Sequence, residues 1–169
     1  RPKGLALAVA ETGDAAPVLL RPEQGWSREA LGEWIAAPAD EDMLIGLDLS
    51  AGFPFLDQEA YFPGWQRAPG DARALWALVD DVATSDPHLG CTSFVTHPEA
   101  GRHFRQRGQL GDLHPAGRGR LRATEHGQRA VGLSPYSCFN LVGAAQVGKS
   151  SLTGMRVLIP RGGQWGADA

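Results

Sequence analysis

Met43-Leu44-Ile45-Gly46-Leu47-Asp48 is a continuous apolar run that ends on an acid. Such a run, without polar alternation, reads as a strand buried on both faces of a sheet. A Gly/Pro turn over residues 50–54 follows it. Upstream, the apolar residues 5–10 and 17–20 flank Glu11-Thr12-Gly13-Asp14, the pattern of an antiparallel hairpin. Ser27 stands as the N-cap of a helix that carries Leu31, Trp34 and Ile35 at helical spacing, and Pro38 stops it. The first half therefore reads β-β-α-β, an α/β or α+β domain. Asp48 falls at the C-terminal end of its strand, where open α/β sheets present a ligand crevice.

Beyond the turn, residues 52–70 hold Phe53, Phe55, Tyr61, Phe62 and Trp65 among prolines and glycines, an aromatic loop folded against the body. Helix resumes at Asp71, with Leu75, Trp76, Leu78, Val79 and Val82 on one face. Residues 83–118 are weakly patterned; a short helix is expected from near Pro98 to Gly108. Another is expected over 121–131, stopped by Gly132. A strand over 137–142 and a helix over 146–158 complete the expectation. The second half is thus helical and irregular.

The 169 residues include 22 Gly and 12 Pro, 43% hydrophobic and 21% charged side chains, and a formal charge of −3. That is globular composition, sized for a single domain over 1–169, and it excludes a disordered acidic tail, a collagen-like chain and a coiled coil. No apolar run approaches the ~20 residues that span a bilayer, and no signal peptide opens the chain, so no membrane partner is expected. Cys91 and Cys138 are too few for a disulfide scaffold and read as reduced thiols in a cytoplasmic protein. The charge is asymmetric. Residues 1–96 carry 6 basic and 15 acidic side chains, whereas residues 97–130 carry 7 Arg against Glu99, Asp112 and Glu125. A basic second half suits an anionic partner, nucleic acid or nucleotide, unless the two halves neutralise each other. Phe104 is the only aromatic in the basic stretch, which is not the interleaving of a stacking platform.

Three constellations could carry chemistry. Gly143-Ala144-Ala145-Gln146-Val147-Gly148-Lys149-Ser150 fits G-x-x-x-x-G-K-[ST], in which backbone N–H groups cradle phosphates, Lys149 meets phosphate oxygens and Ser150 holds Mg²⁺. Only 19 residues follow Ser150, with Asp168 the sole acid, so the strands and acid of a nucleotide-binding sheet are missing downstream. The alternative is a glycine-hinged helix start packed closely on a strand. Asp48 is the second, with Glu99 and Glu125 as companions. Metal-assisted phosphodiester cleavage needs several such acids around Mg²⁺ or Mn²⁺; the plain alternative is an Asp that caps its turn. The third is His88, His97, His103, His114 and His126 with Cys91, a spacing that matches no standard zinc pattern.

The segment from Met43 through Asp48 and Gly52 to Pro54 resembles the hallmark strand of an uncharacterised bacterial family of predicted nucleases with a ribonuclease H-like fold. Gly117-Arg118-Gly119-Arg120-Leu121-Arg122-Ala123-Thr124-Glu125 and the block from Asn140 to Gly154 are similar to later motifs of a proteobacterial subgroup, some of whose members carry a cobalamin biosynthesis label. The resemblance implies a ribonuclease H-like mixed sheet flanked by helices, with acids on the first strand, the fourth strand and the last helix holding Mg²⁺ or Mn²⁺. Asp48 would be the fourth-strand acid and catalytic metal ligand, Glu125 a weaker second. The first strand would precede Arg1, and a further strand and helix would follow residue 169. The function expected is metal-dependent cleavage or processing of a phosphodiester. Arg120, Arg122 and the other arginines of 102–129 would hold phosphate non-specifically. The alternatives are a non-catalytic nucleic-acid or nucleotide-binding module, and an NTP-binding protein acting through Gly143, Gly148, Lys149 and Ser150.

Overall fold

The computed structural model describes residues 5–13, 16–21, 23–38, 42–115, 117–143 and 147–159. The protein is a mixed α/β chain, 36% helical, with two small antiparallel sheets. It forms two compact units, one reaching up to Met43 and the other spanning Leu44–Ile159.

In the first unit β1 (Leu7–Val9) pairs with β2 (Val18–Leu20) in the register Leu7↔Leu20 and Val9↔Val18. This is the hairpin expected from the alternation of apolar runs and turn residues. α1 (Arg28–Ala36) begins at Ser27, whose hydroxyl accepts the Ala30 N–H at 3.1 Å. Ala37 leaves the helix at ψ 140°, because a residue before proline avoids the helical region. Trp26 is buried beneath the helix start; its indole N–H donates to the Leu20 carbonyl at 3.0 Å, and Trp34 meets it edge-on at 6.3 Å.

The second unit holds the main core. α2 (Ala72–Val82) is capped by Asp71, whose carboxylate accepts the Ala74 N–H at 2.8 Å. Its apolar face, Leu75, Leu78 and Val79, is buried against α5 (Val147–Leu158), which contributes Leu152 and Met155. The aromatic loop folds inward as expected. Phe62 is fully buried and touches Phe53, Trp65, Phe94, Phe104 and Phe139, with ring centroids 5.5–6.2 Å apart. Offset and edge-on geometries of this kind add to the burial of the rings themselves. Arg156, buried in the last turn of α5, ties that helix to Asp80 at 2.8 Å and to the Gly90 carbonyl. Between α2 and α5 lie α3 (Thr92–Thr96), the hairpin β3 (Arg105–Gln106) and β4 (Gln109–Leu110), and α4 (Ala123–Ala130). Gly132, at φ +85°, ends α4's C-terminal turn as its position predicts.

Three expectations differ from what forms. Residues 43–47 form neither strand nor helix and pair with no strand among the described residues, and Leu44 is 99% exposed. An apolar run states a preference for burial, but a strand also needs a neighbour to receive its backbone groups. The far end of the run is anchored, because Leu49 covers Gly154 of α5 and the buried Ser50 N–H donates to Ser151 Oγ at 3.2 Å. Residues 98–108 form a 3-10 turn, Ala100–His103, and then the β3–β4 hairpin. Gly108, at φ +76°, turns that hairpin instead of stopping a helix. Residues 137–142 contribute a single parallel bridge, Arg105↔Asn140, with Arg105 N–H on the Phe139 carbonyl at 2.9 Å and Leu141 N–H on the Arg105 carbonyl at 2.8 Å.

His103 is 3% exposed and packs edge-on against Phe62 at 5.4 Å. Burial, helped by the positive Arg120 and Arg102, pushes its pKa down to about 4. Above pH ~6.5 the imidazole is neutral in both folded and unfolded chains. Between that value and about 4 the unfolded chain takes up a proton that the folded one refuses, so stability falls as the pH falls. Burial shifts His114 in the same direction. The urea midpoint is therefore expected to be lower at pH 5 than at pH 7.5, and less so in His103→Gln. An equal drop in both proteins would contradict this assignment.

Candidate functional site

Asp48 lies exposed at a bend that follows the unpaired run. Glu125 has a different fate. It is 3% exposed at the third position of α4, and both its oxygens are engaged. Oε2 accepts the Arg122 backbone N–H at 2.7 Å, closing the helix start as a capping carboxylate does. Oε1 accepts from the Arg122 guanidinium at 2.7 and 3.1 Å and from the Cys138 thiol at 3.9 Å. Cys138 is fully buried, and burial pushes its thiol up to about 11. It is an inert packing thiol, and Cys91, also buried, forms no disulfide. Among the described residues no group of three or more His, Cys, Asp or Glu is placed to hold a metal ion. With both Glu125 oxygens engaged by Arg122, Glu125 does not fit the role of a free carboxylate ligand that Mg²⁺ or Mn²⁺ catalysis requires.

Arg120 is 5% exposed and faces the core side of the aromatic loop. It grips Asp57 with two bonds, at 2.8 and 2.6 Å, and donates to the carbonyls of Pro54, Ala60 and Tyr61 at 2.7–3.0 Å. The planar guanidinium fork suits this simultaneous arrangement. The same contact holds the Asp57 carboxyl below its usual range. Arg122 is paired with Glu125 as described. Neither arginine projects a free cation for phosphate.

The G-x-x-x-x-G-K-S stretch divides in three. Gly143 is exposed at φ +98°, and residues 144–146 lie outside the described residues. Gly148 is buried in the first turn of α5, where a Cβ would overlap the Cys138 carbonyl oxygen and come within 2.6 Å of Leu141 Cδ2. Glycine is required there by close approach of the helix to residues 138–141. The Ser150 hydroxyl donates to the Val147 carbonyl at 2.9 Å, within the helix. Lys149 is exposed and makes no ion pair among the described residues.

Lys149 does reach a cavity. It lies on the wall of a space of about 600 Å³ together with Arg107, Gln106, Gln109, Val142 and Gly143. A second cavity of about 560 Å³ shares Gln106, Arg107, Gln109 and Val142 and extends to Arg105, Leu110, His114 and Pro115. The two share the β3–β4 hairpin and Val142 as a common wall, and together they make up the trough. No carboxylate lines either part among the described residues. His114, buried on this wall, has an Nε2 that lacks a hydrogen-bond partner and faces the bare Cα of Gly119.

The hairpin sits here because Arg105 is bridged to residues 139–141 and the Gln106 side chain donates to the Val95 carbonyl at 2.8 Å. Gly111 follows the hairpin against the Arg102 and Gly101 carbonyls, where any Cβ would collide. The basic side chains of the second unit differ in how they are engaged. Arg67, Arg102, Arg120, Arg122 and Arg156 are paired with Asp81, Asp112, Asp57, Glu125 and Asp80. Arg105, Arg107, Arg118, Arg129 and Lys149 are exposed and make no ion pair among the described residues, and of these Arg105, Arg107 and Lys149 line the trough. Arg105 and Arg107 belong to the arginine stretch that the sequence marks as basic, but the charge count alone does not separate them from Arg120. No family model, no curated protein and no solved structure matches this chain.

Proposed function

We propose that this protein is a nucleic-acid-binding module whose contact surface is the trough at the β3–β4 hairpin. One observation carries the reading: the cations Arg105, Arg107 and Lys149, without ion pairs among the described residues, line a concave surface without carboxylates, while Arg102, Arg120 and Arg122 are neutralised in place. Phosphodiester oxygens are the ligand chemistry that such a surface attracts. Gln106 and Gln109 add amides beside the cations. The ribonuclease H-like sheet implied by the resemblance belongs to the same proposal, supported by the continuous apolar run of residues 43–47. Two buried reduced thiols fit a cytoplasmic setting. Because Glu125 is engaged by Arg122, no metal-dependent step is assigned to the trough.

Fluorescence anisotropy with a labelled twelve-nucleotide single strand tests the proposal. The triple substitution Arg105→Gln, Arg107→Gln, Lys149→Gln changes exposed side chains only, so the fold should persist by circular dichroism. Affinity is expected to fall by about tenfold or more, equivalent to roughly 1.4 kcal/mol. Asp48→Asn is expected to bind as wild type. Unchanged affinity in the triple variant would overturn the assignment of the surface.

A further inference from the structure

The two parts of the trough differ in chemistry. The part that reaches Lys149 is edged by Arg107, Gln106, Gln109 and the exposed Gly143, all polar or backbone-like surface. The part that reaches His114 adds Leu110, Pro115 and the tip glycine Gly108, with Arg105 at its edge. Leu110 is 63% exposed, an apolar side chain that covers none of the core. Val142 is common to both parts, and so is Arg107, next to the turn glycine of the hairpin.

We infer that the trough takes two consecutive nucleotides of a single strand, with a phosphate on the Lys149 side, a nucleoside against Leu110 and Pro115, and Arg107 at the linking phosphodiester. The inference rests on the nucleic-acid reading and names its substrate class. A free mononucleotide would fill one part and leave the other empty. A duplex keeps its bases stacked and presents a convex backbone, so it cannot place a nucleoside in the second part. An unpaired strand can turn its bases outward. The second part has no aromatic ring on its wall, so the base is held by aliphatic contact and shape. Discrimination among bases is therefore expected to be weak, and affinity to come mainly from the phosphates.

A competition series tests this on the full chain, with a labelled twelve-nucleotide single strand displaced by inorganic phosphate, thymidine monophosphate, the 5′-phosphorylated thymidine dinucleotide, or a hairpin duplex. The expected result is a step of about tenfold or more between mononucleotide and dinucleotide, with the duplex a poorer competitor than an equal length of single strand. Leu110→Ser, at an exposed position, should remove most of that step. Equal affinity for mononucleotide and dinucleotide would overturn the two-nucleotide inference while leaving a phosphate site at Lys149. A duplex that competes as well as the single strand would also overturn it. Failure of the labelled strand itself to bind would instead remove the underlying nucleic-acid reading. Leu110→Gln is the second variant should Leu110→Ser fail to fold; its full retention of the step would count against the inference.

Discussion

Arg120→Ala is expected to cost about 2–4 kcal/mol of folding stability, mainly from buried carbonyls left without their donor at about 1–3 kcal/mol each. The side chain is 3% exposed, and its loss leaves the carbonyls of Pro54, Ala60 and Tyr61 without their donor, while the Asp57 carboxylate, 30% exposed, turns to water. A buried acceptor left without a donor keeps its desolvation cost and regains nothing. The aromatic loop would lose its anchor, and that loop supplies Phe53, Tyr61, Phe62 and Trp65 to the core. Arg120→Lys should recover only part of the loss, because one ammonium cannot reproduce a two-bond grip on Asp57 and reach three carbonyls. Arg118, two residues earlier, is exposed, and Arg118→Ala is expected to stay within about 0.5 kcal/mol of wild type. Urea unfolding of the three variants checks this. Arg120→Ala no costlier than Arg118→Ala would contradict the structural role given to Arg120.

Gly148→Ala is expected to destabilise the protein by about 2 kcal/mol or more, near the upper part of the range for overpacking a filled core. The added methyl would run into the Cys138 carbonyl, which is backbone and cannot rotate away, and into Leu141. Relief requires α5 to lift from residues 138–141, and that helix carries Leu152 and Met155 into the core. At roughly 2–4 °C per kcal/mol for a chain of this size, the thermal midpoint should drop by several degrees. Lys149→Ala, one residue on and exposed, should leave the midpoint where it is. The comparison separates two roles for the same glycine. If Gly148 served only to let phosphate approach the backbone, the alanine variant would lose ligand and keep its midpoint.

Much of the local structure was legible because it is set by neighbours in sequence. Ser27 and Asp71 cap the helices they precede, Gly132 follows α4, and the residues of the first hairpin pair across their turn. The run over 43–47 misleads because its composition reports a demand for burial without naming what would bury it. The segment after Pro98 carries no apolar period, so the positive φ of Gly108 and the close approach at Gly111 decide its shape. The site shows the same division. Arg118-Gly119-Arg120-Leu121-Arg122 looks like one basic patch. In the folded chain Arg118 points outward, Arg120 is buried on Asp57, and Arg122 closes on Glu125. Glu125 looked like a candidate ligand for metal, yet its place in the first turn of α4 makes it a capping group. Lys149 was singled out by its motif and does face the trough. Its partners there, Arg105 and Arg107, are brought to it by the hairpin and not by any spacing in the chain.

The central claim is that three unneutralised cations at the hairpin trough bind the phosphates of a nucleic acid strand. The salt dependence of single-strand affinity tests it most directly, because each phosphate neutralised releases counterions in proportion. For single strands the logarithm of the binding constant falls with the logarithm of salt at about 0.7 per contact, so three contacts predict a slope near −2. Removing Arg105, Arg107 and Lys149 together should flatten that slope toward zero. A wild-type slope near zero, or a steep slope that survives in the triple variant, would contradict the claim.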